Sequence, residues 1–383
     1  MLIVIALVAS CSASRGASSP GSTTAPPPST IAAPPPLPVE STTATNPPIE
    51  STTAPPIPVP VESTTIPLIE STTAPPIPVP VESTTIPPIE STTVPTRPAP
   101  APITVVVSPA LRDEGQWRVL GSTAAGPVLW GTTVRPFAAQ PDVRASYATF
   151  DQTRLHAALF NGTELPGVGP WNNGSKVMPA AIPSLLAAFN GGFKFKHIKG
   201  GYFAEGRVIK PLLNGEATLA INSDGRISIG VYGVDLTNDG SWLSLRQNLP
   251  LIIDRGHETV STAHEQGVAS IYWGDDFGGV VLDFRSAICQ RSDGLMMYAV
   301  VGKVDINGLV KALIGAHCQR AMELDINGSW PQFVSVDHAG TSSPQPNALD
   351  PRMTHLTRYL TVGSTKDFIA LFDPLLLPPN VVR

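Results

Sequence analysis

From about residue 104 to the C-terminus, short apolar runs alternate with turns rich in Gly, Asp, Asn and Ser. This alternation is typical of a strand-rich fold, because β-strands are short and tight turns need residues that accept unusual backbone angles. Three pairs of apolar runs, each pair separated by a few turn residues, predict β-hairpins at residues 143–160, 217–231 and 285–302. Whether residues 104–144 add an N-terminal strand pair to the same domain stays open at this level.

Helical periodicity is less frequent in the same region. The spacing of Leu309, Leu313 and Ala316 predicts a helix over residues 306–318, and residues 180–188 are a second candidate. The sequence therefore predicts an α+β fold, a strand-rich single domain with a few packed helices, over residues 104–383.

Residues 11–103 differ in composition and are expected to form a disordered stalk rich in Pro, Thr and Ser. Of the 42 prolines, 25 lie in residues 1–103, and the segments 50–69 and 70–89 are identical at 19 of 20 positions. A repeat this polar and this rich in proline cannot bury a core, and it favours extended polyproline II structure.

An apolar stretch from Leu2 to Ala9 precedes the stalk and is too short to cross a bilayer. Residues 1–10 are interpreted as a signal peptide, and Val8-Ala9-Ser10-Cys11 is similar to the bacterial lipobox, which predicts lipid attachment at Cys11. No Lys or Arg precedes the stretch, so an apolar N-terminus with a coincidental Cys is the alternative. Lipidation would anchor the exported chain on the outer side of the cytoplasmic membrane, in the cell envelope.

The charges of the predicted domain exclude one class of partner. Residues 104–383 hold 23 Lys and Arg against 24 Asp and Glu, with no basic run, so no nucleic-acid partner is expected. No apolar run in this region approaches the roughly 18 residues of a membrane-spanning helix. Cys289 and Cys318 remain once Cys11 is lipidated, and an exported location favours a disulfide between them over two free buried thiols.

Two segments carry residues suited to ligand binding. Asn190-Gly191-Gly192 follows an apolar run, where glycines let the backbone approach a ligand and Asn190 offers an amide, although an ordinary turn is the alternative. Arg285 enters a predicted strand and can clamp a phosphate or carboxylate, with a surface salt bridge as the alternative.

A third segment carries two carboxylates on a predicted strand. Glu323 and Asp325 share one face, while Met322, Leu324 and Ile326 face the other. Two neighbouring carboxylates repel each other, so one holds its proton more tightly, which suits an acid and a base. The alternative is the solvated polar face of an edge strand.

In their order along the chain, these segments resemble the phosphodiester glycosidase family. That family has an Asn-Gly-Gly-Phe-Phe motif, an Arg-(Ser/Thr)-Ala strand, and a Leu-Asp-Gly-Gly-Gly-Ser strand end after a Gly-Ala helix. The resemblance covers roughly residues 145–338. The chain departs from the family pattern at Lys194 for the second Phe, at Ile326-Asn327-Gly328 for the three glycines, and at Glu323, where Asn is usual.

The resemblance implies hydrolysis of a sugar-1-phosphodiester, and the expected anchor suggests an envelope glycopolymer or glycoconjugate as substrate. Arg285 would hold the phosphate, and Asp325 with Glu323 would carry the acid/base chemistry. The substrate-binding residues would be Asn190, Gly191, Gly192, Asn327 and Ser329. No cofactor and no metal ligands are predicted, with a divalent cation as the alternative. A non-catalytic carbohydrate-binding or structural lipoprotein of the same fold is the second interpretation.

Overall fold

β-strands dominate the computed structural model, which describes residues 97–261, 273, 282–326, 328–338 and 343–383. The described strands are β1 (Arg118–Thr123), β2 (Gly126–Val134), β3 (Ala145–Phe150), β4 (His156–Phe160), β5 (Leu185–Asn190), β6 (Tyr202–Ala204), β7 (Arg207–Lys210), β8 (Ala217–Asn222), β9 (Ile227–Val231), β10 (Trp242–Gln247), β11 (Ile253–Asp254), β12 (His257–Glu258), β13 (Asp283–Arg291), β14 (Met296–Val304), β15 (Cys318–Ile326), β16 (Phe333–Asp337), β17 (Gln345–Ala348) and β18 (Phe368–Phe372). The predicted signal peptide, Cys11, residues 12–96 of the predicted stalk and Asn327 lie outside the described residues.

The strands form three sheets. The central sheet has the order β1-β2-β3-β14-β13-β15-β11-β12, the second sheet β7-β6-β10-β8-β9, and the third sheet β17-β16-β5-β18-β4. Every ladder between these strands is antiparallel. The helical elements that lie wholly within the described residues are α1 (Ile306–Gly315), the 3-10 turns Gln152–Arg154, Pro179–Ser184 and Phe195–His197, and the π turn Arg358–Val362. None of these helices is long and apolar enough to cross a membrane.

The central sheet is buried on both faces. On one face, Met296, Tyr298 and Val300 of β14 pack in a cluster with side chains of the other two sheets. On the opposite face, Met297 and Val301 pack with the apolar side of α1. Burial on both faces explains why its inner strands read as continuous apolar runs in the sequence, without polar alternation.

Most of the predicted elements are confirmed. The strands β8 and β9 form a hairpin whose turn places Gly225 at a φ of 71°, and β13 and β14 form the hairpin predicted at residues 285–302. The helix α1 begins after Asp305, whose carboxylate accepts a hydrogen bond from the Gly308 N–H (2.7 Å). It ends at Gly315, earlier than predicted, because His317 takes a left-handed φ of 67° before β15 begins. Residues 104–144 supply the pair β1 and β2, which extends the central sheet beyond β3.

The predicted hairpin at residues 143–160 is wrong, although both of its strands exist. β3 pairs with β2 and β14 in the central sheet, whereas β4 pairs with β18 in the third sheet. Both edges of β3 are therefore occupied, and β4 has no free edge there to pair with. The 3-10 turn at Gln152–Arg154, capped by the Asp151 carboxylate, carries the chain from one sheet to the other.

The predicted helix at residues 180–188 is also wrong. Its first half is the 3-10 turn Pro179–Ser184, which contains Pro183, a residue without an N–H for an α-helical hydrogen bond. Its second half belongs to β5, which lies between β16 and β18 in the third sheet. A short apolar run does not separate helix from strand by itself, and the two neighbouring strands decide the outcome.

Cys289 of β13 and Cys318 of β15 form the predicted disulfide, with a Cα–Cα distance of 5.8 Å. The bond closes a loop with a sequence separation of 29 that contains the β13–β14 turn and α1. It therefore joins neighbouring strands of the central sheet that are connected in sequence through β14 and α1.

Replacing both cysteines by Ala is expected to lower the free energy of unfolding by about 3–4 kcal/mol, because a closed loop of this length limits the unfolded chain. Urea unfolding with and without reductant measures this loss. The wild type should lose stability in reductant, and the double variant should be insensitive to it. Equal stability of the oxidised wild type and the variant would contradict the expectation.

Candidate active site

The site begins with an irregularity near the end of β15. From Glu323 to Ile326 this strand advances three residues, while the facing strand β13 advances two, from Arg285 to Ala287. The extra residue makes a β-bulge, which frees backbone groups from the ladder and re-aims side chains. The bulge includes Asp325, one of the predicted catalytic residues.

The prediction that Ile326 shares a face with Met322 and Leu324 is wrong because of this bulge. Met322 and Leu324 pack in the cluster between the sheets, whereas Ile326 packs on the α1 side. The alternation of the strand is broken at its last residues, and Asp325 and Ile326 both border the same cavity.

Residues from all three predicted segments meet at the bulge. The Asp325 backbone N–H donates to the Gly191 carbonyl (3.0 Å), and the Asp325 carbonyl accepts from Ser286 Oγ (2.6 Å). Ser286 Oγ in turn accepts from Asn190 Nδ2 (3.0 Å). Asn190, Gly191 and Ser286 therefore position Asp325 through its backbone.

Asn190 is buried, and its amide connects several elements. Its Oδ1 accepts from Tyr298 Oη (2.9 Å) and from the Gln332 N–H (3.0 Å). The side chain thus ties the end of β5 to β14 and to the segment before β16. The structure places Asn190 in this support, and its predicted contact with substrate stays a prediction.

A cavity of about 200 Å³ opens beside the bulge, and basic groups from two distant segments border it. Lys194, Lys196 and His197 come from the turn after β5, and Lys366 comes from the segment before β18. Burial together with the neighbouring lysines lowers the pKa of His197, which favours the neutral imidazole. The lysines give the cavity a positive side that suits an anionic ligand.

The cavity is also lined by an indole ring and two carboxylates. Trp330 borders the cavity, and Lys366 Nζ lies 3.7 Å from the centroid of its ring. The carboxylates are those of Asp325 and of Asp283, which begins β13. Carboxylates, ammonium groups and an aromatic face therefore line the same cavity.

Asp325 is the buried carboxylate of the cavity. Its Oδ2 accepts from Lys366 Nζ, and its Oδ1 accepts from the Ile326 N–H (3.0 Å). Burial raises the pKa of Asp325 to about 6, against the opposing effects of Lys366 and the Ile326 N–H. Burial also lowers the pKa of Lys366, although Asp325 opposes that shift. A carboxyl group with this pKa can take up and release a proton near neutral pH.

Arg285 and Glu323 do not border the cavity; they form a fully buried ion pair with each other. Arg285 Nη1 lies 2.8 Å from Glu323 Oε1, and Arg285 Nε donates to the Val304 carbonyl (3.0 Å). Arg285 Nη1 also donates to the Trp273 carbonyl. The ion pair of Arg285 with Glu323 links β13 to β15. The predicted catalytic roles of both residues stay predictions.

A second buried ion pair supports the turn after β5. Arg246 donates to both carboxylate oxygens of Asp367 (2.8 and 3.2 Å) and to the Phe193 carbonyl (2.7 Å). The Gly191 N–H donates to the Asp367 carbonyl (3.0 Å). A Cβ on Gly191 would lie 2.0 Å from Asp367 Oδ2, and one on Gly192 would lie 3.0 Å from Asn248 Oδ1. Both glycines are therefore needed for close packing behind the cavity.

Ser329 is exposed next to Trp330, and its carbonyl accepts from Arg358 Nη2 (3.1 Å). Asn327 lies outside the described residues, so its predicted role has no structural counterpart here. In the described part of the chain, no group of three or more His, Cys, Asp or Glu side chains is placed to hold a metal ion.

Sequence reasoning missed Lys366 and Asp283. Lys366 is 41 residues beyond Asp325, and its only local signal is a Lys-Asp pair directly before an apolar run. Asp283 precedes Arg285 by two residues and has no distinctive spacing. Long-range pairing of strands brings both to Asp325, and that pairing is not visible in the local pattern.

No family model and no curated protein matches this chain. Among solved structures, it is similar to the catalytic domain of zebrafish N-acetylglucosamine-1-phosphodiester alpha-N-acetylglucosaminidase auto-inhibited by its pro-peptide, at 16% identity and a TM-score of 0.43, over 67% of this chain and 87% of that chain. It is also similar to a hypothetical protein from Synechocystis, at 10% identity and a TM-score of 0.37, over 60% and 59% of the two chains. The likeness is distant and does not assign the chain to a family.

Replacing Gly191 by Ala is expected to lower the free energy of unfolding by about 1–3 kcal/mol, because the new Cβ would displace the buried Asp367. Gly174→Ala is the matched control, since no atom lies within 4 Å of the Cβ built there. Denaturant unfolding of both variants measures the difference. Equal losses would show that close packing at Gly191 does not stabilise the fold.

Proposed function

We propose that this chain hydrolyses a sugar-1-phosphodiester in the cavity beside the β15 bulge. The observation that carries the proposal is the buried Asp325, with a pKa of about 6, in one cavity with Lys194, Lys196 and Trp330. These groups match the three parts of such a substrate, which are the reacting anomeric carbon, the phosphate and the sugar ring.

Lys194 and Lys196 are the proposed phosphate ligands. Their ammonium groups are compact point charges that bind phosphate oxygens through charge-assisted hydrogen bonds. Trp330 offers an aromatic face with apolar surface, against which the C–H side of a sugar ring can pack. The predicted phosphate clamp Arg285 would then act indirectly, by holding β13 and β15 together through Glu323.

In the proposed reaction, water attacks the anomeric carbon while the bond from that carbon to the phosphate oxygen breaks. Asp325 takes a proton from the attacking water, and the phosphate departs as a monoester anion that needs no strong general acid. The lysines offset the charge that develops on the departing phosphate. The products are the free sugar and a phosphate monoester.

The predicted export signal, the lipid anchor at Cys11 and the stalk extend the proposal to location. They would hold the activity at the outer side of the cytoplasmic membrane, where envelope glycopolymers joined through sugar phosphates are the substrate class. This part of the proposal is supported by the sequence of residues 1–103.

Carbohydrate binding without turnover is the second candidate function. The contact between Asp325 and Lys366 favours it, because a carboxylate held by an ammonium group is a weaker base. In that case the cavity would retain a glycan phosphate without cleaving it.

Asp325→Asn in the full chain is expected to reduce sugar release by at least about 100-fold, because the amide cannot accept the proton of water. The substrates are the methyl phosphodiesters of glucose, galactose and N-acetylglucosamine 1-phosphate, with folding checked by circular dichroism. Asp224→Asn, at an exposed carboxylate in the β8–β9 turn, is the matched control and should retain wild-type rates. Full activity of folded Asp325→Asn would refute the catalytic role, and glycan binding without release by the wild type would favour the second candidate.

The logarithm of kcat/KM is expected to rise with pH and to level off above about 6, because only ionised Asp325 can act as the base. Initial rates over a range of about pH 4 to 9 at constant ionic strength measure the profile. The comparison variant His197→Gln removes the imidazole that borders the same cavity. If the rise of the profile with pH disappears in this variant, the titration belongs to the imidazole, and the role of Asp325 is contradicted.

A further inference from the structure

Three more hollows continue the cavity along the surface. The cavity shares Asp283 with a neighbour of about 330 Å³, which shares Lys303 with a third hollow of about 450 Å³. The third shares Thr133 and Arg144 with a fourth of about 850 Å³. The shared lining residues place the four hollows next to one another, and we call this row of hollows the groove, with Asp325 at one end.

The register of the central sheet shows where this groove runs. The pairs along its course are Asp283 with Val304, Val301 with Ala145, Ala145 with Val134, and Gly131 with Arg118. The groove therefore crosses β13, β14, β3, β2 and β1 near the same ends of these strands. Because neighbouring strands lie about 4.8 Å apart, its length is about 19 Å, which exceeds the space that one sugar phosphate needs.

Three exposed cations stand along the groove, Lys303 on β14, Arg144 before β3 and Arg118 on β1. Across the described ranges, none of the three forms an ion pair. The carboxylates of Asp142 and Asp283 also line the groove. Within the described residues, neither forms an ion pair with an arginine. The other charged groups that line the three hollows beyond the cavity form ion pairs, which are Arg352 with Asp350, Arg112 with Asp113 and Glu114 with Arg135.

The hollow with the largest volume of the four is also lined by a buried polar group that indicates a ligand. Thr132 is 4% exposed, borders this hollow, and its Oγ1 has no hydrogen-bond partner among the described residues. A buried hydroxyl without a partner is costly, so a ligand or solvent oxygen is expected to satisfy it. Trp117 borders the same hollow and adds an aromatic face.

We propose that the groove binds a linear polymer with repeating phosphate groups, so that Lys303, Arg144 and Arg118 contact successive units beyond the bond at Asp325. For the bond that is cleaved, this inference rests on the proposed function. It goes beyond the proposed class of envelope glycopolymers by naming the residues that would hold the repeating phosphates next to the cleaved bond. Cations spread over β14, the residue before β3, and β1 suit repeated charges better than a single phosphate.

The test is calorimetric titration of the full wild-type chain with glycerol phosphate oligomers of one and four units. These probes lack an anomeric phosphodiester, so binding is measured without turnover. The four-unit oligomer should bind about tenfold more tightly than the single unit. Arg118→Gln/Arg144→Gln/Lys303→Gln should abolish this advantage. Its matched control, Lys176→Gln/Arg255→Gln/Lys311→Gln, removes the same charge from exposed positions outside the groove and should retain the advantage.

Equal affinity of the wild type for both oligomers would overturn the inference. Equal losses in the two triple variants would overturn it as well, because they would show an unspecific effect of net charge. Failure of the wild type to release sugar, with the length advantage retained, would refute the hydrolase and leave the groove as a polymer-binding surface. The two proposals therefore fail by different measurements.

Discussion

The hydrogen bond from the Asp325 N–H to the Gly191 carbonyl joins the central sheet to the end of β5, and the site depends on it. It forms because the bulge releases this N–H from the ladder with β13. On one side of the bond, the carboxylate is aimed into the cavity. On the other side, the turn after Gly191 carries Lys194 and Lys196 to the same space. One backbone contact therefore sets the positions of the Asp325 carboxylate and of the lysines together.

Buried charge surrounds this contact. Arg246 with Asp367, Arg285 with Glu323, and Lys366 with Asp325 form three ion pairs with side chains that are almost fully buried. Removing charges from water is costly, and close pairing with additional carbonyl partners offsets that cost. The first two pairs are fixed by such carbonyls, whereas Asp325 and Lys366 border the cavity. Of these three ion pairs, the pair of Lys366 with Asp325 is therefore the one that a ligand can reach.

The parts of the fold that were predicted correctly form between residues that are close together in the sequence. The β8–β9 and β13–β14 hairpins and α1 each depend on a local turn or cap, and the local pattern contains those signals. The hairpin at residues 143–160 failed because pairing of β3 and β4 is decided by strands far away in sequence. The same limit applies to the site, where the sequence predicted Asn190, Gly191 and Asp325 but did not indicate Lys366.

The sequence by itself determined which residue types are available, where the apolar strands and turns lie, and which two cysteines of the body can pair. Only the tertiary structure decided the direction of each side chain. A single extra residue in β15 turned Ile326 away from Leu324 and brought Asp325 to the cavity, while Arg285 and Glu323 turned to each other. The reason is that strand register and bulges arise from pairing between distant segments, which the alternation within one segment does not encode.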